Sequence, residues 1–257
     1  MTSLLPHLAA ACLAACAAWA TPSHGATVAD SIAERVQACT ACHGDQGRAT
    51  ADGHYPRLAG KPAGYLYQQL KHFQLGQRHS PLMTRWVGRL NDGYLWAMAE
   101  HFAALDLPYP APARSTASTA TLVRGQQLAQ HGDRASGVPA CVACHGATLT
   151  GLLPRTPGLL GLSRDYLNAQ LGAWRTGARR AHAPDCMAEV ARRLAPDDVV
   201  AVSAWLAAQP VPRAAGPGHA SERLSATACG GLAPPPEPLP APTSARPSMA
   251  PAEGGQP

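Results

Sequence analysis

Apolar and polar positions along this chain follow a helical period in two matching sets of segments. In the first half, Ala63 to Leu75 spaces its apolar residues and tyrosines helically. Asp92 to Leu105 can bring Tyr94, Leu95, Met98 and Phe102 onto one face. A shorter stretch, Asp30 to Ala38, leads into a pair of cysteines. The second half offers Thr121–Gln130, Arg164–Thr176 and Pro196–Ala208. Pro196 falls in a first turn, where its missing N–H costs nothing. Clear two-residue alternation is absent, so the pattern predicts an all-α chain of two small helical domains.

The two sets are copies of one another. Cys39-Thr40-Ala41-Cys42-His43-Gly44 falls on Cys141-Val142-Ala143-Cys144-His145-Gly146 at an offset of 102 residues. At an offset of 101, Pro56, Leu58, Gly60, Tyr65, Leu66, Gln69, Leu70, Gly76 and Arg78 meet identical residues from Pro157 to Arg179. Phe73 meets Trp174, an aromatic exchange. Met83 meets Met187 at an offset of 104, and such small slips at loops are what a duplicated domain shows, while a period near a hundred residues means tandem domains. Their bounds read as 27–107 and 121–209, joined by a proline-rich linker over 108–120 that stays extended. From 210 to 257 the chain is Pro, Ala, Gly and Ser with few large apolar residues. That composition cannot bury a core and is expected to be disordered.

Composition adds an address. An apolar run from Leu8 to Ala18 is too short to span a bilayer and ends in Ala18-Trp19-Ala20, so residues 1–20 read as a secretory leader. Leu13-Ala14-Ala15-Cys16 also resembles a bacterial lipobox, which would lipidate Cys16. Either route takes the chain out of the cytoplasm, into the periplasm. The net charge of +5 is spread as +1 over residues 27–110, +4 over 111–209 and zero beyond. No basic stripe with interleaved aromatics appears, which excludes a nucleic-acid binder. A mildly basic face could steer an acidic protein partner or meet anionic lipid, giving peripheral membrane association. Aromatics are only 5% of the chain, a deficit that a large buried prosthetic group would explain.

The cysteines name that group. Cys-x-x-Cys-His is the attachment signature of c-type haem. Two thiols three residues apart can each add to a haem vinyl, and the next residue carries an imidazole to the iron. Chance would give roughly 0.01 such pentads in a chain of this composition, and this one has two at matching repeat positions. Cys39, Cys42, Cys141 and Cys144 are therefore the expected attachment points, with His43 and His145 as proximal iron ligands. A redox Cys pair or zinc ligation is the alternative chemistry of the motif. Met83 follows His43 by 40 residues, and Met187 follows His145 by 42. Each is expected in a loop ahead of the last helix of its repeat, as the sixth iron ligand. His/Met ligation raises the reduction potential and saturates the iron, favouring electron transfer over substrate binding. Met98, inside a helix without a counterpart, reads as core packing.

From about Ala33 to Gln209 the chain resembles the class I di-haem cytochromes of the cytochrome c4 family. The resemblance rests on both C-x-x-C-H-G hexads, the Pro-x-Leu-x-Gly segments, the Tyr-Leu-x-x-Gln-Leu helices and the two late methionines. It implies two tandem class I cytochrome c domains, two covalent His/Met haems, propionates near a pseudo-twofold interface, and periplasmic electron delivery. The implied partners are redox proteins: a terminal oxidase, a quinol-oxidising complex or a dehydrogenase. The first repeat lacks the glycine that the second has at Gly125, and Cys186 and the tail depart from the pattern.

An electron carrier, not an enzyme, is the expected function. A di-haem peroxidase would need an open iron, which two matched methionines oppose. An obligate subunit of a dehydrogenase oxidising an alcohol or a sulfur compound would use the same haem chemistry. Cys186 and Cys229 are left as a disulfide, which export permits, or as free or intermolecular thiols. Arg78 and Arg179, matched across the repeat, are candidates to pair with propionates or are simply solvated. His54, His72, His79, His101, His131 and His182 read as surface residues.

Overall fold

Helix starts are written locally by small polar residues. Among the residues described, six helices begin after a Ser, Asn or Asp whose side chain accepts a backbone N–H about one turn on: Ser31, Ser80, Asn91, Ser118, Ser163 and Asp185. The computed structural model of the chain describes residues 31–112, 114–212, 216–219 and 229–235. The expected leader, with Cys12 and Cys16, lies outside them, as do 213–215, 220–228 and 236–257. The first repeat runs α1 (Ile32–Arg35), α2 (Gln37–His43), α3 (Ala63–Gln74), α4 (Pro81–Val87) and α5 (Asp92–Ala103). The second runs α6 (Thr119–His131), α7 (Val142–His145), α8 (Arg164–Thr176), α9 (Cys186–Arg193) and α10 (Pro196–Ala207).

Each repeat closes its own core by packing helices across one another. In the first, α3 lies against α5, and Leu66, Tyr67, Phe73, Leu95, Met98 and Phe102 are buried between them and Val36. Lys71 of α3 reaches Asp92 of α5 at 2.7 Å, and Gln74 donates to the carbonyls of Val87 and Leu90, seating α4 beside them. In the second, α6 crosses α10 where Gly125 meets the backbone of Ala201. A Cβ at Gly125 would lie 2.2 Å from the Ala201 carbonyl oxygen and 2.7 Å from Trp205 Cβ, so only glycine allows this approach. Arg124 then fixes the crossing, donating from Nε and Nη2 to both oxygens of Asp198 at 2.7 and 2.9 Å and to Asp133 at 2.8 Å.

The repeats meet along a seam where one pair of matched residues faces each other and unmatched residues bond across on either side. Arg78 and Arg179 face each other in a short antiparallel bridge, with His79 N donating to Ala178 O and Arg180 N to Gln77 O. Ser163 donates to the Gly53 carbonyl at 2.7 Å, and the buried Lys61 ammonium donates to the Gly158 carbonyl at 3.0 Å. Arg57 gathers the linker, covering the Tyr109 ring at 3.9 Å and bonding the carbonyls of Leu107 and Pro108.

Three features differ from the sequence expectation. A small sheet is present, with β1 (Gly151–Leu153) antiparallel to β2 (Thr156–Pro157) and parallel to β3 (Gly218–His219). Strands of two or three residues carry no alternation to detect. Met83 and Met187 stand not in loops but in the first turns of α4 and α9, short helices opened by Ser80 with Pro81 and by Asp185. Parts of the proline-rich tail also take defined places. Residues Gly218 and His219 pair with Leu152 and Leu153, Cys229 is bonded to Cys186, and Leu232 packs on the first core. A covalent tether and one short backbone ladder hold what composition alone would leave loose.

Candidate haem sites

Both C-x-x-C-H segments end a helix at their histidine. His43 closes α2 and His145 closes α7, and each is 7% exposed. The chain turns away at once through a glycine of positive φ. At Gly44 (φ 76°) a Cβ would lie 2.3 Å from the Ala49 carbonyl oxygen, so the sixth residue of the motif is fixed by space. Each imidazole is aimed by a backbone carbonyl from the matched Pro-x-Leu-x-Gly segment. His43 Nδ1 lies 2.9 Å from Pro56 O, and His145 Nδ1 lies 2.8 Å from Pro157 O. A carbonyl only accepts, so Nδ1 carries the proton and Nε2 keeps its lone pair. Burial lowers the pKa of both rings, against the opposing pull of those carbonyls, and Arg78 near His43 and Lys61 near His145 add to the lowering. Two neutral imidazoles with a free Nε2 are the form that ligates a metal, oriented by the outer hydrogen bond.

Cys186 and Cys229 form a disulfide with a Cα–Cα distance of 5.6 Å, and the four motif cysteines take part in no disulfide, which leaves their sulfurs for haem attachment. Burial raises the pKa of Cys39 and Cys144 and pushes Cys141 up to about 11. Cys39 and Met83 pack on the same first core, while Cys141 packs on the second. Met187 is half-buried in α9, beside the disulfide. The residue types and the tautomer fit covalent haem: thiols for the vinyl carbons and an open Nε2 for the iron.

Sequence reasoning singled out Arg78 and Arg179 but not their partners. Arg78 donates to Gln69 Oε1 (3.0 Å), Tyr166 OH (2.9 Å) and Gln170 Oε1 (2.8 Å). Arg179 mirrors it, donating to Gln170 Oε1 (2.8 Å), Tyr65 OH (3.5 Å) and Gln69 Oε1 (2.8 Å). Each guanidinium also covers an aromatic ring of its own repeat, Phe73 at 4.8 Å and Trp174 at 3.8 Å. Among the described residues each of these acceptors is neutral, so two cations sit together at the seam with no carboxylate bonded to either. Neither is simply solvated. His72 and His182, expected at the surface, instead stack across the repeats, with Nε2 and Nδ1 3.2 Å apart and His72 2% exposed.

No family model matches the chain. It is 37% identical over 194 residues to a thiosulfate dehydrogenase electron acceptor of Thiomonas intermedia, covering 75% of this chain and 86% of that protein. It is 33% identical over 171 residues to the cytochrome c4 of Thiocapsa roseopersicina, covering 65% and 85%. The chain belongs to the di-haem cytochrome c4 family. The solved cytochrome c4 of Pseudomonas stutzeri superposes with a TM-score of 0.60 at 29% identity, over 70% of this chain and 97% of that one. As a member of the cytochrome c4 family the chain carries two covalently attached c-type haems in a class I fold and is an electron-transfer protein rather than an enzyme. Its partners are redox proteins. Among the described residues no helix is long and apolar enough to cross a membrane.

Proposed function

We propose that Cys39 and Cys42 hold the first haem by thioethers, with His43 and Met83 as its axial ligands. Cys141, Cys144, His145 and Met187 would hold the second in the same way. The observation that carries this reading is the matched pair of histidines, each tied through Nδ1 to a proline carbonyl and so presenting Nε2. When bound, a His/Met-ligated haem supplies one-electron exchange and leaves no open coordination position. The protein's part is to hold the rings neutral and oriented, to exclude water around them, and to set the local field. Arg78 and Arg179, cations at the seam between the domains proposed at 27–107 and 121–209, suit the haem propionates as counter-charges.

The electron donor we propose is a periplasmic dehydrogenase that oxidises thiosulfate, by likeness to the electron acceptor of Thiomonas intermedia. The test combines a visible spectrum with a haem count on protein matured with c-type haem assembly. Two haems per chain and a full-strength far-red band of Met-ligated ferric iron are expected. Met83→Ala and Met187→Ala should each halve that band. A high-spin signal in the unaltered protein would overturn the ligand set. Failure of thiosulfate with a purified thiosulfate dehydrogenase to reduce the protein would overturn the donor.

A further inference from the structure

The two methionine helices present opposite faces to the surroundings. Helix α4 exposes Leu82 (44%) and Trp86 (60%) one turn apart, and Leu75 (54%) is exposed at the adjoining end of α3. Thr84 Oγ1 donates to the Phe73 carbonyl, so α4 is fixed on α3 while this apolar strip faces outward. Arg85 and Arg89 flank the strip. Residues 54–91 contain six Lys or Arg and no Asp or Glu across 38 positions. Of those six, Arg57, Lys61 and Arg78 are engaged at the seam, and Lys71 is paired with Asp92. Arg85 and Arg89 remain, both exposed, and no ion pair or hydrogen bond engages either among the described residues. Helix α9 shows the reverse: no large apolar side chain is exposed on it, and Glu189 pairs with both Arg192 and Arg193 at 3.2 and 2.6 Å. The disulfide and tail occupy its N-terminal end.

We propose that the α4 face, Leu82 and Trp86 with Arg85 and Arg89, docks a redox protein whose contact surface is an apolar patch rimmed by acidic side chains. The inference rests on the assignment of Met83 to the first haem. A partner seated on α4 lies against the helix that carries Met83, so electrons enter at the first site. The haem held there would accept one electron from the reduced donor, which is oxidised by one electron in turn. Trp and Arg are the residues that anchor interfaces, and the strip is small, as suits a brief electron-transfer encounter more than a stable dimer. Unpaired arginines supply the attraction and its salt sensitivity.

The test uses the haem-loaded full chain on a gold electrode coated with a mixed carboxylate- and methyl-terminated monolayer, which imitates the proposed partner surface. Trp86→Ser and Arg85→Gln/Arg89→Gln should each lower the interfacial electron-transfer rate about tenfold. Arg192→Gln/Arg193→Gln, on the other repeat, should leave it unchanged. An intact far-red band in each variant shows that Met83 is undisturbed. With thiosulfate dehydrogenase and thiosulfate, the α4 variants should be reduced more slowly and with a flatter salt dependence. If the unaltered protein is not reduced there, the donor reading fails, and the electrode alone decides the docking face. Equal rates for all variants on the electrode would overturn the proposal. So would binding to anionic vesicles, or self-association, that Trp86→Ser abolishes, because the face would then belong to a membrane or a second copy.

Discussion

Acidification should unlock the contact between His72 and His182. His72 is 2% exposed, and its pKa falls from 6.5 to about 4 because burial disfavours the imidazolium. His182, Arg179 and Arg78 push it the same way, and Asp185 opposes them. The folded state therefore keeps His72 neutral where the unfolded chain would protonate it. For a base whose folded pKa is depressed, the stabilisation is complete above pH 6.5 and is lost as pH falls from there towards 4. A difference of about 2.5 in pKa, at about 1.4 kcal/mol for each, amounts to about 3 kcal/mol. The assay is urea unfolding of the haem-loaded protein between about pH 7 and about pH 4.5, beside His72→Gln. Comparing the two proteins cancels the pH dependence of groups remote from this contact, so the difference between them reports the His72–His182 contact. The stability advantage of the unaltered protein should shrink by about 2–3 kcal/mol across that range. A difference that stays constant with pH would show that His72 accepts a proton in place, and the reasoning would fail.

Two further predictions concern the scaffold. Replacing Cys186 and Cys229 by serine opens a tether between positions 43 residues apart, and chain entropy alone puts the loss at about 4 kcal/mol, measurable by guanidinium unfolding. A loss under about 1 kcal/mol would mean that the tail constrains little. Gly125→Ala should cost about 1–3 kcal/mol by forcing α6 from α10, seen as a lowered Tm. Gly172→Ala in α8, where nothing lies within 4 Å of the added carbon, should instead gain about 0.5–1 kcal/mol. The same sign for both would refute the contact argument.

What was legible in the sequence depended on how local its cause was. Helices α3, α5, α8 and α10 are long enough to show their period, and the sequence placed each within a residue or two. Helices α4 and α9 have 7 and 8 residues, too short for a periodicity, although Ser80-Pro81 and Asp185 are start signals that could have revealed them. The cysteines and histidines of the motif declare themselves because haem attachment fixes their spacing. The carbonyls of Pro56 and Pro157 do not, since every residue has one and only the fold selects which of them meets a ring. Tyr65, Gln69 and Arg78 were recognised as repeated residues, yet their meeting with Tyr166, Gln170 and Arg179 depends on how two domains dock. The disulfide was one of several open pairings, and the tail's contacts with β1 and the first core follow from long-range closure that composition does not encode.

The sharing of Gln69 and Gln170 has a consequence for how this duplicated chain can change. Each amide oxygen receives a hydrogen from both guanidiniums, so neither repeat owns its half of the seam. A gene duplication ordinarily frees one copy to drift. Here a substitution in either half alters the partner count of an arginine in the other, and a compensating change must arise a hundred residues away. The two halves are therefore bound to a common history at these positions, and divergence between them is displaced outward, to exposed positions of α4 and α9 such as Arg85 and Glu189.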